Sequence, residues 1–171
     1  MSTPNQHYAI LLDAALFEIE QGNLNAAKCH LELARYGNPR ANGPLIALAL
    51  AILKIDKDHA AADALLAEAC RMDLNDPVPR LILGELEAAK ENYQNAAIGA
   101  DKILSGLPND YAAILAMLQY RDCSGETAKA AEELAAFVRR ISVHGGIVKA
   151  AADLLHHCKR DDDAKALEAL A

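Results

Sequence analysis

The side chains best suited to chemistry lie near the carboxyl end, where His156-His157-Cys158 is followed by three aspartates at 161–163. Imidazole, thiolate and carboxylate groups are common metal ligands. Adjacent residues on a helix point about 100° apart, so His156 and His157 cannot share one ion on a regular helix. His157 and Asp161 are four positions apart and could meet on a helix face. A solvated helix end explains the cluster more simply, so we expect no metal site.

The rest of the sequence offers no catalytic pattern. The motifs GxxxxGK[ST], GxSxG, HExxH and GxGxxG are absent. Asp101, Asp110 and Asp122 are single carboxylates without a second one at a useful spacing. Asp73 and Asp76 flank a turn and are expected to cap the next helix. We therefore expect no enzymatic activity and no cofactor.

The four cysteines are Cys29, Cys70, Cys123 and Cys158, and no two have the spacing of a metal motif. All four fall within or at the ends of predicted helices. We expect them to be small buried apolar side chains rather than disulfide or redox groups.

The composition indicates a folded, acidic, helical protein. Apolar residues make up 53% of the chain and aromatic residues 4%, and alanine is the most frequent residue. The net charge of -7 repels phosphate backbones and anionic lipid, so we expect neither nucleic acid nor a membrane as partner.

The two features that direct a chain to a membrane are missing. Residues 1–6 contain no Lys or Arg, and the longest apolar run, 45–53, is less than half of the roughly 20 residues that span a bilayer. We expect a cytoplasmic protein, although a mature form whose signal had been removed would look the same.

The strongest pattern is internal repetition. A column of alanines recurs every 34 or 35 residues: Ala27, Ala62, Ala96, Ala130 and Ala164. A second column, in which three members are small, precedes each alanine by 12 residues: Ala15, Leu50, Gly84, Leu118 and Ala152. At Leu50, a slip of one residue would place a flanking alanine in the column. Small facing residues let two antiparallel helices approach closely, so each unit is predicted to be a helical hairpin.

Apolar periodicity and stop residues predict five helix pairs: 7–21 and 24–36, 44–55 and 58–72, 78–91 and 93–105, 111–122 and 125–141, and 146–158 and 161–170. In the first turn, Gly22 suits a left-handed cap and Asn23 suits the N-cap of the next helix. Asn92 takes the same position in the third unit.

The third unit contains, in chain order, Leu83-Gly84, Asn92-Tyr93, Ala96 and Pro108. With the 34-residue period, these residues resemble the tetratricopeptide repeat (TPR). The early Trp of that family is missing, and Leu50, Leu118, Leu74 and Ser142 depart from the small and Pro columns. The resemblance implies an all-α solenoid of about five helix-turn-helix repeats, at about 8–42, 43–76, 77–110, 111–144 and 145–171. They would wind into a right-handed superhelix and form one domain over 1–171. A generic helical bundle is the alternative.

In this family the first helix of each repeat lines a concave groove. The resemblance and the register together give these groove candidates: Leu12, Leu16, Ile19, Ala47, Ala51, Lys54, Leu81, Glu85, Ala88, Leu115 and Gln119. Ile55 continues the apolar half, and a polar half is continued by Asp122, Lys149, Asp153, His156 and His157. Leu12 and Leu16 stand where the best-known members hold a partner's carboxylate with Lys and Asn, so binding of that kind is not expected.

The resemblance therefore implies a non-catalytic module that binds an extended or helical segment of another protein. The chain is similar to bacterial TPR proteins of secretion systems, including type III secretion chaperones, although those typically have three repeats. Two alternatives remain. The same residues can be covered by the protein's own N-terminus or by a second subunit, and Leu167 and Leu170 near the open C-terminal end can support a homodimer or a larger scaffold.

Overall fold

The computed structural model describes residues 4–140 and 145–169, and within these ranges it contains ten α-helices and no strand. The helices are α1 (Pro4–Glu20), α2 (Leu24–Gly37), α3 (Gly43–Ile55), α4 (His59–Met72), α5 (Val78–Ala89), α6 (Tyr93–Gly106), α7 (Tyr111–Cys123), α8 (Thr127–Arg140), α9 (Gly145–His157) and α10 (Asp161–Glu168). The predicted helix pairs are confirmed, with ends that shift by a few residues. Positions 141, 142, 170 and 171 lie outside the described residues.

Every hairpin turns through one residue with a positive φ angle. These residues are Gly22 (76°), Lys57 (59°), Glu91 (61°), Gly125 (83°) and Lys159 (59°). Each of them precedes an alanine of the first column by the same number of positions, so the repeat extends to the backbone conformation of the turn. The left-handed cap predicted at Gly22 is confirmed.

The asparagines that follow two of these turns have a different role from the predicted one. Neither Asn23 nor Asn92 makes a side-chain cap to the helix that follows it. The Asn23 amide donates to Glu18 (2.9 Å), and the Asn92 amide donates to Glu87 (2.6 Å). Since an ionised carboxylate is a stronger acceptor than a neutral group, each amide bonds back to the preceding helix.

Asp76 is confirmed as a cap, and it also joins two repeats. Its Oδ1 atom accepts a hydrogen bond from the Val78 amide at the start of α5 (2.9 Å). Its Oδ2 atom accepts one from the side chain of Asn42 (2.7 Å), which lies 34 positions earlier, just before α3. Asp73 does not cap α5, because its carboxylate accepts from the Asn75 amide within the turn (2.9 Å).

The helices group into two compact units, Met1–Leu83 (unit 1) and Gly84–Ala171 (unit 2). In unit 1, α1 packs on α2, α3 packs on α4, and α3 also contacts α1 and α2. A core of this unit contains Ile19, Leu24, Ala27, Ala51 and Ile52. Burial of this apolar surface provides the main free energy that holds the hairpins together.

Unit 2 repeats the arrangement from α6 to α10, with each helix packed on the next. Its main core runs through the last three hairpins, and Leu134, Leu155 and Leu167 within it are fully buried. Leu167, which the sequence placed near an open end, packs inward. A smaller cluster joins Ala96, Ala97 and Tyr120.

The two columns of small residues lie where the hairpins close. All five alanines of the first column have no exposed surface. In the second column Ala15, Ala49 and Ala152 are at most 1% exposed, Gly84 is buried, and Leu118 is 5% exposed. Leu50 is 47% exposed, so Ala49 takes the second-column position in α3. The slip of one residue that the sequence allowed is therefore real.

Candidate functional site

His157 does not form the contact with Asp161 that the sequence spacing allows. His156, not His157, meets Asp161, with 2.6 Å between Nδ1 and Oδ1, and its Nε2 lies 3.7 Å from Glu168. The helix breaks at Lys159, so the spacing of a continuous helix does not apply across the turn. The hydrogen bond to Asp161 raises the pKa of His156 above its ordinary value of 6.5. Within the described residues no group of three or more metal-ligating side chains comes together.

The cysteine prediction is half wrong. All four thiols are free, but Cys29 and Cys123 are exposed and Cys70 and Cys158 are half-buried. Whether a thiol is buried depends on which stripe of its helix faces the core, because a helix places only one stripe of its residues there.

None of the described helices is long and apolar enough to cross a membrane.

The candidates on α1 separate into surface and core. Leu16 is 52% exposed and Leu12 is half-buried, so both reach the surface of unit 1. Ile19 is only 9% exposed and packs in the core with Leu24 and Ala27, so it offers a partner very little surface.

The candidates on α3 require a correction. Ala51 has no exposed surface and packs against Ala27, Ala47 is half-buried, and Lys54 is exposed. Since Ala49 holds the second-column position, the surface positions of α3 shift back by one residue. The equivalents of Leu12 and Leu16 are therefore two side chains that the sequence analysis did not select, Ile46 and Leu50. The sequence signal that identifies Ile46 and Leu50 is their distance of 34 residues from Leu12 and Leu16.

The remaining candidates lie on α5, α7 and α9. Leu81 and Ala88 are half-buried, Ala88 against the small cluster of unit 2, and Leu115 is 38% exposed. The other side chains of this set are exposed and polar or charged: Glu85, Gln119, Asp122, Lys149, Asp153, His156 and His157. Within unit 2, the candidate positions on α7 and α9 are thus mostly polar.

Two candidates on α1 and the three corrected positions on α3 define an apolar surface, which we call the α1–α3 face: Leu12, Leu16, Ile46, Leu50 and Leu53. Leu16 and Leu50 are its most exposed members, and the other three are half-buried. Helices α1 and α3 are in contact, and the residue pairs 12/46 and 16/50 are equivalent in the two repeats. The equivalent side chains therefore point to the same side of unit 1, and Lys54, which follows Leu53, is also exposed.

An ion-pair network around a buried arginine in unit 2 was not predicted. The side chain of Arg121 on α7 is 8% exposed, and its guanidinium donates to both oxygens of Asp101 on α6 (2.9 and 3.1 Å). The same group lies 3.6 Å from Glu126 and 3.1 Å from Glu133 on α8. The sequence does contain a signal, because Arg121 continues the buried stripe of Ile114, Met117 and Leu118 at helical spacing, and a charge on such a stripe requires partners.

A cleft of about 240 Å³ lies beside this network. Its apolar walls are Leu104, Pro108, Ile114, Met117 and Phe137, and its polar groups are Asp101 and Glu133. Burial raises the pKa of Glu133, and the nearby charge of Asp101 adds to the increase, while Arg121 lowers it only in part.

Comparison with known proteins gives matches among solved structures. No protein-family model matches the chain, and no curated protein matches it. PilF of Pseudomonas aeruginosa superposes with a TM-score of 0.70 at 17% identity, over 98% of this chain and 76% of that one. MamA gives a TM-score of 0.66 at 15% identity, over 97% and 90% of the two chains. YrrB, described as a TPR protein with an unusual peptide-binding site, gives 0.60 at 14% identity, over 92% and 80%.

At these identities the likeness concerns the fold. The chain has the TPR fold, all-α and built from helical hairpins, and the resemblance seen in the sequence is confirmed. The right-handed superhelix and the single domain over 1–171 stay predictions.

Proposed function

We propose that this protein is a non-catalytic binding module whose α1–α3 face takes an apolar or amphipathic segment of another protein. The observation that carries the proposal is the exposure of Leu16 (52%) and Leu50 (47%) at equivalent positions of two contacting helices. Covering apolar surface is favourable by about 25 cal/mol per Å², so a partner that buries both side chains gains binding free energy.

The shape and chemistry of the α1–α3 face favour a polypeptide as the ligand. The face is the open surface of two helices, whereas small molecules are bound in enclosed clefts with a few converging polar groups. Apolar anchors at helical spacing match a groove that receives an amphipathic helix or an extended strand. The peptide-binding site named for YrrB, which shares the fold, supports the same class of ligand.

In its narrower form, the proposal is that the protein acts as an assembly adaptor or a bacterial secretion chaperone. Such a protein holds an apolar segment of its client until the client is assembled or exported. The apolar α1–α3 face supports this role because it can shield the segment from water. A scaffold of identical copies joined through the same face is the competing function.

The experiment first selects peptide ligands and then tests whether substitutions on the α1–α3 face weaken their binding. A random peptide library displayed on phage is enriched on the wild-type protein, and the selected peptides are synthesised and titrated. The double variant Leu16→Glu/Leu50→Glu places two carboxylates on the face, and we expect it to weaken binding at least about tenfold, since each lost leucine contact contributes about 1.5–3 kcal/mol. The matched control is Leu33→Glu, which changes a leucine on α2 that is 55% exposed.

The outcomes separate the functions. Enriched peptides with apolar anchors, lost in the double variant and kept in Leu33→Glu, support the proposal. Equal binding by the double variant contradicts it. Sedimentation of the same variants tests the scaffold, because a wild-type oligomer that the double variant dissociates shows that the face binds a second copy.

A further inference from the structure

The cleft of unit 2 has the features of a pocket for one long side chain. Its floor belongs to the main core, where Ile114, Met117 and Phe137 are at most 8% exposed. Its volume of about 240 Å³ is below the range of about 300–1,000 Å³ that holds cofactors and drug-sized ligands. The cleft therefore suits an inserted side chain better than a whole small molecule.

Among the described residues, carboxylates outnumber cations beside the cleft. Three carboxylates, those of Asp101, Glu126 and Glu133, surround the single guanidinium of Arg121. In the part of the chain that the structure describes, Lys129 also pairs with Glu126, at 4.0 Å, and it does not line the cleft. Asp101 and Glu133, the two acidic groups that line the cleft, thus share the guanidinium of Arg121 and lie next to the apolar walls.

The hydrogen bonding of Glu133 agrees with this imbalance. Its Oε2 atom is buried and lies 3.1 Å from Arg121 Nε, yet among the described residues neither atom has a hydrogen-bond partner. The Glu133 side chain as a whole is 34% exposed and lines the cleft. The Glu133 carboxylate therefore pairs with Arg121 through its buried Oε2 atom, and the exposed part of the side chain can meet a cation that enters the cleft.

We propose that this cleft binds the side chain of a lysine or arginine carried by a partner protein. The methylene stem would lie along Leu104, Met117 and Phe137, and the cationic end would meet Glu133 and Asp101. Lysine and arginine combine an apolar stem with a charged end, which is the combination that the walls and the carboxylates offer. The site lies wholly within unit 2, and the proposal does not depend on the α1–α3 face.

The test uses three blocked tripeptides that differ only at the central residue: acetyl-Ala-Lys-Ala-amide, its arginine analogue and its norleucine analogue. They are titrated into the full chain labelled at methionine and isoleucine methyl groups, and the NMR signals of Met117 and Ile114 are followed. We expect saturable shifts with the lysine and arginine peptides and at least about fivefold weaker binding of norleucine. Glu133→Gln should weaken the lysine peptide at least about fivefold. Glu132→Gln should not, since Glu132 pairs with Arg160 (2.9 Å) outside the cleft.

A second measurement covers the case in which Glu133→Gln is poorly folded. Raising NaCl from about 50 mM to about 500 mM should weaken the lysine peptide on the wild-type protein and leave the norleucine peptide unchanged. Equal binding of lysine and norleucine, no salt dependence, or no shift at Met117 and Ile114 would overturn the proposal.

Discussion

Gly84 leaves the space that the ring of Tyr120 occupies in the next hairpin. A Cβ atom on Gly84 would lie 3.3 Å from Cε2 of Tyr120 and 3.7 Å from the carbonyl oxygen of Ala96. The glycine that the sequence suggested for close approach to α6 therefore makes its tightest contact with α7. Tyr120 is 5% exposed and held in a cluster with Ala96 and Ala97, so it has little freedom to move away.

Gly84→Ala is expected to destabilise the protein by about 1 kcal/mol. The added methyl group overpacks the contact with Tyr120 at a cost of about 1–3 kcal/mol, and the better helix propensity of alanine returns about 1 kcal/mol. In a Tyr120→Ala background the ring is gone, so the same substitution should stabilise the protein. Urea unfolding of the wild type, the two single variants and the double variant measures the effect of Gly84→Ala on stability in each background. If Gly84→Ala is still destabilising in the Tyr120→Ala background, the ring is not the obstacle.

The turn residues with positive φ angles predict a pair of opposite effects. Gly22→Ala adds a Cβ that meets no atom within 4 Å, so only the backbone conformation is strained, and we expect a loss of about 1 kcal/mol. Lys57→Gly relieves the same conformation one repeat later and should be neutral or stabilising by up to about 1 kcal/mol. Thermal unfolding measures both. A stabilised Gly22→Ala variant would be incompatible with the left-handed turn.

Arg121 is expected to be the most sensitive charged residue of unit 2. Replacing it with methionine keeps much of the stem but leaves the carboxylates around it without their cation. Because these groups are 34–46% exposed, we expect a loss of about 2 kcal/mol, less than for a fully buried network. The loss should shrink as the pH falls and Glu133, whose pKa is raised by burial, becomes protonated.

Arg139 provides the matched control for this substitution, because it is an exposed arginine on α8. Arg139→Met is expected to change the free energy of unfolding by less than about 0.5 kcal/mol. If urea unfolding shows the same loss of stability for Arg121→Met and Arg139→Met, the ion-pair network of Arg121 does not stabilise the protein more than an exposed arginine does.

The last hairpin is expected to respond to pH through His156. Its pKa is raised in the folded state, mainly by the hydrogen bond to Asp161, so folding favours the protonated form. The contribution to stability is fully present below the ordinary value of 6.5 and is lost as the pH rises through the folded pKa. NMR titration of the His156 ring measures that pKa.

Asp161→Asn removes the carboxylate from this pair and tests its origin. The pKa of His156 should fall towards its ordinary value, and the difference in stability between the variant and the wild type should be larger below pH 6.5 than above the folded pKa. A pKa of His156 that does not change in the variant would assign the increase to another group, of which Glu168 is the nearest alternative.

The sequence predicted the hairpins because their constraints are local and repeated. A small residue is needed wherever two helices touch, so Ala27 and Ala96 mark the contact in any repeat of this kind. The second repeat shows the limit of this reasoning. From the first repeat to the second, the alanine column advances by 35 residues. Because alanines flank Leu50 on both sides, the sequence alone did not decide whether the second column advances by 35 residues, to Leu50, or by 34, to Ala49. Packing selected Ala49, which moved the surface of α3 by one residue and exposed Leu50.

The groups around the cleft were beyond the reach of sequence analysis. Asp101 and Glu133 are far apart in the chain, and in the sequence Asp101 looked like a single carboxylate without a partner. Only the packing of α6 and α8 against α7 brings both of them to Arg121. Similarly, the helix breaks at Lys159, so Asp161 contacts His156 and not His157, the residue that the spacing of a continuous helix would place beside it.

The sequence by itself determined the all-α fold, the period of the repeat and the position of each turn, because these follow from helix periodicity and from the size of the residue at each close contact. The tertiary structure decided which apolar residues remain at the surface and which charges meet. Both properties depend on how side chains from different helices pack together, and the distances between those side chains are set only when the helices come together in the fold.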